Sequence, residues 1–250
     1  MQELNIKDLE QKTLEKKSKI DNFRPFSSKQ LQNLKDWFKI DFTTHSNAIE
    51  WNSFTLSEVK VLVEDWITIW WKTVRETKET ENLAWLTDII WDFFEKDFIL
   101  TETFLLELHK SLLTWIEKEN LWKYRDSQVF ISGSEDKLPS SKEVVKLMNN
   151  FIQNCNNLEK DTKKILKKVS DIHYDFVKIH PFFDWNWRIA RLIMNLYLVK
   201  YWFLPIIFPV ITRSEYISTL WNWKKSEDFY KYFLWQINEN YSDYLRFFED

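Results

Sequence analysis

The chain of 250 residues holds a single glycine, Gly133, and fifteen tryptophans. No other feature constrains its folding as strongly. Glycine takes positive φ without penalty and lets backbone lie close to a ligand. At an average usage of about 7%, roughly 17 glycines are expected in a chain this long. Glycine and tryptophan together number sixteen here, an ordinary count for glycine with a few tryptophans. The sum implies that many of the tryptophans stand at glycine positions.

Local contexts agree. Trp66 follows Glu64-Asp65, and Trp70-Trp71 precede Lys72; with glycine these become D-G and G-G turns. Trp51, Trp122 and Trp202 follow helical stretches, where glycine usually ends a helix. Trp185 and Trp187 alternate with Asp184 and Asn186, which is turn company rather than core company. The pattern is that of a gene in which UGA encodes glycine, as in some bacterial lineages, translated with UGA as tryptophan. A genuinely tryptophan-rich protein is the alternative, and the codons at 185 and 187 separate the two.

The length suits one domain with helical extensions. Hydrophobic residues make up 44% and charged residues 29%, with a formal net charge of −3. That balance supplies a core and gives no general case for nucleic-acid or membrane partners. The lone Cys155 excludes an internal disulfide, and no Cys/His spacing suits a structural zinc site. The opening segment MQELNIKDLEQKTLEKK is polar, so neither a signal peptide nor an anchor is expected, and a cytoplasmic location is. No window approaches the ~20 apolar residues of a spanning helix.

Helical periodicity dominates. Helices are expected over about 5–20, 29–40, 43–50, 57–65, 79–97, 102–118, 141–156, 159–179, 186–201, 213–222 and 226–246. The exception is 125–138, RDSQVFISGSEDKL. There Gln128 to Ile131 alternates like a strand and Ser132-Gly133-Ser134 is a turn, which predicts a short β-hairpin. The expected fold class is all-α with that one hairpin.

The segment His180 to Arg191, HPFFDWNWRIAR, concentrates chemistry. A helix should end near Ile179, since Pro181 disfavours helical geometry at His180. A new helix follows, and its free N–H groups form a ready anion site. Asp184 suits a divalent cation on a phosphate pair. Arg188 and Arg191, three apart, suit further phosphate oxygens. His180 suits proton abstraction from an incoming hydroxyl. The constellation points to phosphate-centred group transfer.

These residues resemble the Fic motif, H-P-F-x-D-G-N-G-R-x-x-R, with both glycines shown as tryptophan. The resemblance covers roughly residues 43–235 and implies a Fic fold. The expected divisions are an N-terminal helical region at 1–72, a core at 73–212 and C-terminal helices at 213–250. The resemblance also implies protein adenylyl transfer: His180 as the general base for a Ser, Thr or Tyr hydroxyl, and ATP as the AMP donor. Asp184 would bind Mg2+. Asn186 and the backbone of residues 185–188, Trp185 and Trp187 included, would cradle the phosphates. Arg188 would contact the phosphate chain and Arg191 its γ end. The hairpin resembles the family's flap, where a protein substrate docks by strand addition with Val129, Phe130, Ile131 and Ser132 nearest it. Tyr216 resembles a position lining the adenine pocket. Homodimers are common among similar proteins.

Upstream, Ser46 to Asn52, SNAIEWN, resembles the family's inhibitory motif. Ser46 and Glu50 share one helix face, and Glu50 would pair with Arg191 in competition with the γ-phosphate. His45, His109 and His173 are expected to be structural. The alternatives are another transfer on the same fold, removal of AMP, or a non-catalytic interaction protein. Literal indoles at 185 and 187 would obstruct ATP.

Overall fold

The computed structural model describes residues 5–94, 96–117, 119–131, 137–157, 161–221 and 225–249. Side-chain caps set most of the helix starts. α1 (Ile6–Asp21) opens on Asn5. Three helices open on reciprocal boxes: α2 (Ser28–Ile49) on Ser27 with Gln30, α3 (Leu56–Glu64) on Thr55 with Glu58, and α4 (Val74–Asp92) on Thr73 with Glu76. Each box satisfies N–H groups that the first turn leaves free. α5 (Glu102–Leu113) starts at Thr101, α6 (Ser141–Asn156) after Ser140 and α7 (Thr162–Ile179) at Asp161. α8 (Asn186–Lys200), a 3-10 turn at Val210–Thr212, α9 (Arg213–Leu220) and α10 (Ser226–Glu249) complete the order.

α8 is the axis of the fold. Every residue from Arg188 to Val199 is buried, as expected of a helix apolar on nearly all sides. α7, α4 and α2 pack around it, α10 covers α7, and α1 lies along α10. One core cluster runs from Leu9 to Tyr244, with a small satellite of Ile40, Phe54, Val59 and Leu62 beneath α3. Among the described residues, no helix is long and apolar enough to cross a membrane.

Several boundaries differ from the sequence expectation. α4 ends at Asp92 rather than 97, and α5 at Leu113 rather than 118. The helices expected at 29–40 and 43–50 are one continuous α2, because Ile40, Phe42 and Thr43 extend its buried face through the supposed break. α4 begins at Val74 rather than near 79, since the Thr73–Glu76 box starts it one turn earlier. The expected hairpin over 125–138 is not seen: no strand is present among the described residues, and 132–136, including Ser132, lie outside them. Its described arms meet through side chains. Arg125 Nη2 donates to the Pro139 carbonyl at 2.5 Å, and Gln128 Nε2 to the Leu138 carbonyl at 3.4 Å. Val129 and Ile131 pack on the core while Phe130 is 89% exposed. The alternation in the sequence is therefore real as an inward–outward pattern, without a backbone ladder.

Backbone geometry bears directly on the tryptophans. Trp51, Trp66, Trp115, Trp122, Trp185 and Trp202 have φ between 57° and 71°, and the other positive-φ residues described are Asn120 and His180. This left-handed region costs a residue with a Cβ roughly 1–2 kcal/mol and glycine almost nothing. Trp51, Trp66, Trp122, Trp185 and Trp202 are among the positions whose sequence context suggests glycine; Trp115 is one that context missed. Trp70, Trp71 and Trp187 do not share the positive φ.

Candidate active site

α7 ends at His180, whose φ of 52° and ψ of 61° lie in the left-handed region. The chain turns through 181–185 and enters α8. Phe182 anchors the turn: it is fully buried, stacked on His109 at 3.8 Å between ring centroids and tilted against Tyr124 at 5.6 Å. Asn186 closes the turn from within. The Phe182 N–H donates to its Oδ1, and its Nδ2 donates to the Phe182 carbonyl, both at 2.9 Å. The Asn186 amide is thus engaged in shaping the loop. Trp185 is the N-cap of α8 and caps it with no side-chain hydrogen bond, so the first N–H groups of that helix lack a side-chain acceptor from the cap.

His180, Asp184 and Arg188 line one cavity of about 440 Å³, with Glu50 from the end of α2, Arg75 and Glu79 from α4, and Ile131. Burial lowers the His180 pKa to about 4; the Val177 carbonyl opposes this and the Arg125 guanidinium adds to it. The ring is therefore neutral at pH 7 and able to accept a proton. Its Nδ1 is buried without a partner. Asp184 reaches outward, with its side chain 59% exposed. Desolvation pushes its carboxyl up, and the Trp185 N–H, Arg188 and Arg75 oppose this.

The two arginines of the loop have separate carboxylate partners. Arg191 is buried: its Nε donates to Ser46 Oγ at 2.9 Å, and Nη2 donates to the Ser46 carbonyl at 2.9 Å and to Glu50 Oε1 at 3.0 Å. Behind it Nη1 donates to Tyr216 Oη at 3.3 Å, and that hydroxyl meets His173 Nε2 at 2.9 Å. Burial works against the Arg191 charge, and Tyr216 and Glu50 more than offset it, so its pKa is raised. Arg188 pairs instead with Glu79, Nη2 to Oε2 at 3.3 Å. Glu79 also holds Arg75 at 3.0 Å, and Arg75 reaches Asp184 at 3.4 Å. A chain of charges thus runs Asp184–Arg75–Glu79–Arg188. Glu50, Glu76, Glu79 and Asp184 outnumber Arg75 and Arg188 around the cavity, so a polyphosphate enters only with a cation or after carboxylates turn aside.

The sequence reading gathers His180, Asp184, Asn186, Arg188, Arg191, Ser46 and Glu50, and the structure brings these together. Tyr216 lies behind Arg191, fully buried rather than on the cavity wall. Trp187 stands edge-on to it at 5.3 Å. Of the flap residues, Ile131 reaches the cavity, and Phe130 points to solvent. Sequence reasoning missed Arg75 and Glu79, because it started α4 too late. Their i,i+4 spacing after Thr73 was the available signal.

The donor set suits a metal-bound nucleoside phosphate: one outward carboxylate, uncapped helical N–H groups and two arginines. The indoles do not suit it. Trp185 is 3% exposed with Arg188 over its ring at 3.9 Å, and both indoles line the cavity. Glycine at 185 and 187 would clear that space and relieve the φ of 71° at 185.

Fold and site define an all-helical protein whose buried loop presents a neutral histidine, a carboxylate and paired arginines to one anion-directed cavity. Residues 99–198 match the Fic/DOC family, and the chain carries a Fic/DOC family domain. A "Protein adenylyltransferase Fic" of Nematostella vectensis is 32% identical over 182 residues, covering 70% of this chain and 41% of the relative. A "Protein adenylyltransferase fic-1" of Caenorhabditis elegans is 28% identical over 181 residues, covering 72% of this chain and 35% of the relative. The chain therefore spans about two fifths or less of the length of these curated relatives. A Fic domain containing signaling protein from Bacteroides thetaiotaomicron shares the fold, with a TM-score of 0.81 at 22% identity over 92% of this chain and 95% of that one. Fic-1 from C. elegans does too, at 0.81 and 21% over 96% and 71%.

Proposed function

We propose that this chain, with glycine at 185 and 187, is a protein adenylyltransferase that moves AMP from ATP to a Ser, Thr or Tyr hydroxyl of a protein. The convergence of His180, Asp184 and Arg188 on one cavity carries this reading, and the names of the relatives support it. The hydroxyl oxygen attacks the α-phosphorus, the bond to the β-phosphate oxygen breaks, and pyrophosphate leaves. The hydroxyl proton passes to the neutral His180 ring. Asp184 would hold Mg2+, which supplies charge neutralisation on the phosphates. Arg188 and the N–H groups of residues 185–188 bind phosphate oxygens, and Arg191 takes the γ end. The segment 125–138 receives the target chain.

Glu50 is the brake in this reading. Its carboxylate holds Arg191 at 3.0 Å, where the γ-phosphate would otherwise bind. The glycine reading of the tryptophans draws support from the six left-handed indole-bearing residues. Removal of AMP by a water molecule that Glu50 positions is the second reading, favoured by the place of that carboxylate in the same cavity.

The test is mass spectrometry of the Trp185→Gly/Trp187→Gly chain, with and without Glu50→Gly, incubated with ATP and Mg2+. A 5′-AMP adduct that increases with Glu50→Gly is expected. ATP binding without any adduct would overturn the transfer. Calorimetry with no ATP binding in a well-folded double variant would overturn the nucleotide site itself.

A further inference from the structure

The root of the flap segment contains a buried cation that the motif-based reading leaves without a task. Arg125 is 2% exposed. Among the described residues no carboxylate pairs with it. Its guanidinium donates to three carbonyls instead: Nε to His180 at 2.8 Å, Nη1 to Ser127 at 3.1 Å and Nη2 to Pro139 at 2.5 Å. Its backbone N–H donates to the Pro181 carbonyl at 2.8 Å. One side chain therefore joins both roots of the 127–139 segment to the peptide units that leave α7. A rigid planar fork can hold three such acceptors in fixed relation, which a flexible ammonium cannot. His180 needs this support, since its left-handed backbone has no glycine's freedom.

We propose that Arg125 is a positioning residue that locks the base to the arm at 127–131, so that a chain docked along that arm is placed in register with the His180 ring. The proposal rests on the reading of His180 as the base. The tie is steric and electrostatic together. The fork fixes the ring's backbone, and the charge beside it disfavours protonation of the imidazole. The other ionisable groups facing His180 across the cavity are Glu50, Arg75, Glu76, Glu79, Asp184 and Arg188, and Lys178 lies on its own helix. None of them bonds the His180 backbone among the described hydrogen bonds.

Two variants separate the fork from the charge. Arg125→Lys keeps the charge and loses the fork; Arg125→Met loses both. In the Trp185→Gly/Trp187→Gly/Glu50→Gly chain, Arg125→Lys should lower the rate constant of auto-modification on the order of 100-fold, with the ATP dissociation constant unchanged. A rate equal to the parent's, or a rate loss matched by an equal loss of ATP affinity, would overturn the proposal. In the unaltered full chain, labelled with 15N-histidine, His180 is assigned by its absence in His180→Gln. Its titration should move upward in Arg125→Met and stay in place in Arg125→Lys. No movement in a folded Arg125→Met chain would overturn the electrostatic half. If His180→Gln still transfers AMP, the base reading fails, and the histidine titration still reports on the tie.

Discussion

Trp115 and Trp91 should respond to glycine in opposite senses. Trp115 sits at φ 64° and is 85% exposed, with no ring or cationic partner among the described residues. Glycine there removes a left-handed penalty of about 1–2 kcal/mol. The looser unfolded chain takes back about 0.5–1 kcal/mol. The net is a stabilisation of roughly 0.5–1 kcal/mol from losing an entire indole. Trp91 lies in α4, 5% exposed, edge-on to Phe38 at 5.8 Å and tilted on Phe94 at 5.6 Å. Deleting a buried indole costs about 3–5 kcal/mol, and glycine inside a helix about 1 more. Urea titrations of the two single variants, extrapolated linearly, measure both values. If Trp115→Gly destabilises by more than about 1 kcal/mol, the premise that the backbone there is built for glycine is wrong. Trp51, Trp122 and Trp202 are poorer tests. Each has a cation over its ring, Arg213 at 4.2 Å, Lys110 at 4.4 Å and Arg24 at 5.5 Å. Loss of about 0.5–1 kcal/mol per contact cancels the gain.

Glu50→Gly in the Trp185→Gly/Trp187→Gly chain frees Arg191 from a charged hydrogen bond of about 1.5–3 kcal/mol. ATP affinity should rise about tenfold or more, and calorimetry showing no gain would refute the brake. Arg75→Ala removes the cation at 3.4 Å from Asp184. The pair is largely exposed, worth about 0–1 kcal/mol, so Mn2+ binding followed by electron paramagnetic resonance should tighten by a fewfold at most; weaker binding would contradict the competition. Acidification should destabilise the fold between pH 6.5 and 4. Burial lowers His109 and His180 to about 4 each, so the unfolded chain binds more protons across that window, and stability falls with pH. Each contributes on the order of 3 kcal/mol by pH 4. Asp175, pushed up to about 6 by burial, opposes them by less. Stability at pH 5 equal to or above that at pH 7, from urea titrations, would refute this.

Much of the site was legible because its residues are neighbours in sequence. His180, Asp184, Arg188 and Arg191 span twelve residues, and proline, turn and helix rules alone place them on one loop and one helix face. Asn186 shows the limit. The family resemblance assigns it to phosphate, and its amide is engaged by Phe182. Tyr216 likewise lies behind Arg191 rather than along the cavity. Side-chain orientation about a packed helix depends on what else fills the space.

The sequence by itself determined the helical class, the loop and the residues it gathers, and the misfit between tryptophan and turn. Those are local properties, set by periodicity, by the missing amide hydrogen of proline and by the absent Cβ of glycine. The family resemblance already implies the Glu50–Arg191 pair; only the tertiary structure decided that Glu79 meets Arg188 and that Arg75 bridges Glu79 to Asp184. Glu50 reaches Arg191 across 141 positions and Glu79 reaches Arg188 across 109. Arg125 meets the His180 carbonyl across 55. Such pairings follow from how α2, α4 and α7 pack around α8, and no spacing within one helix encodes the distance between two.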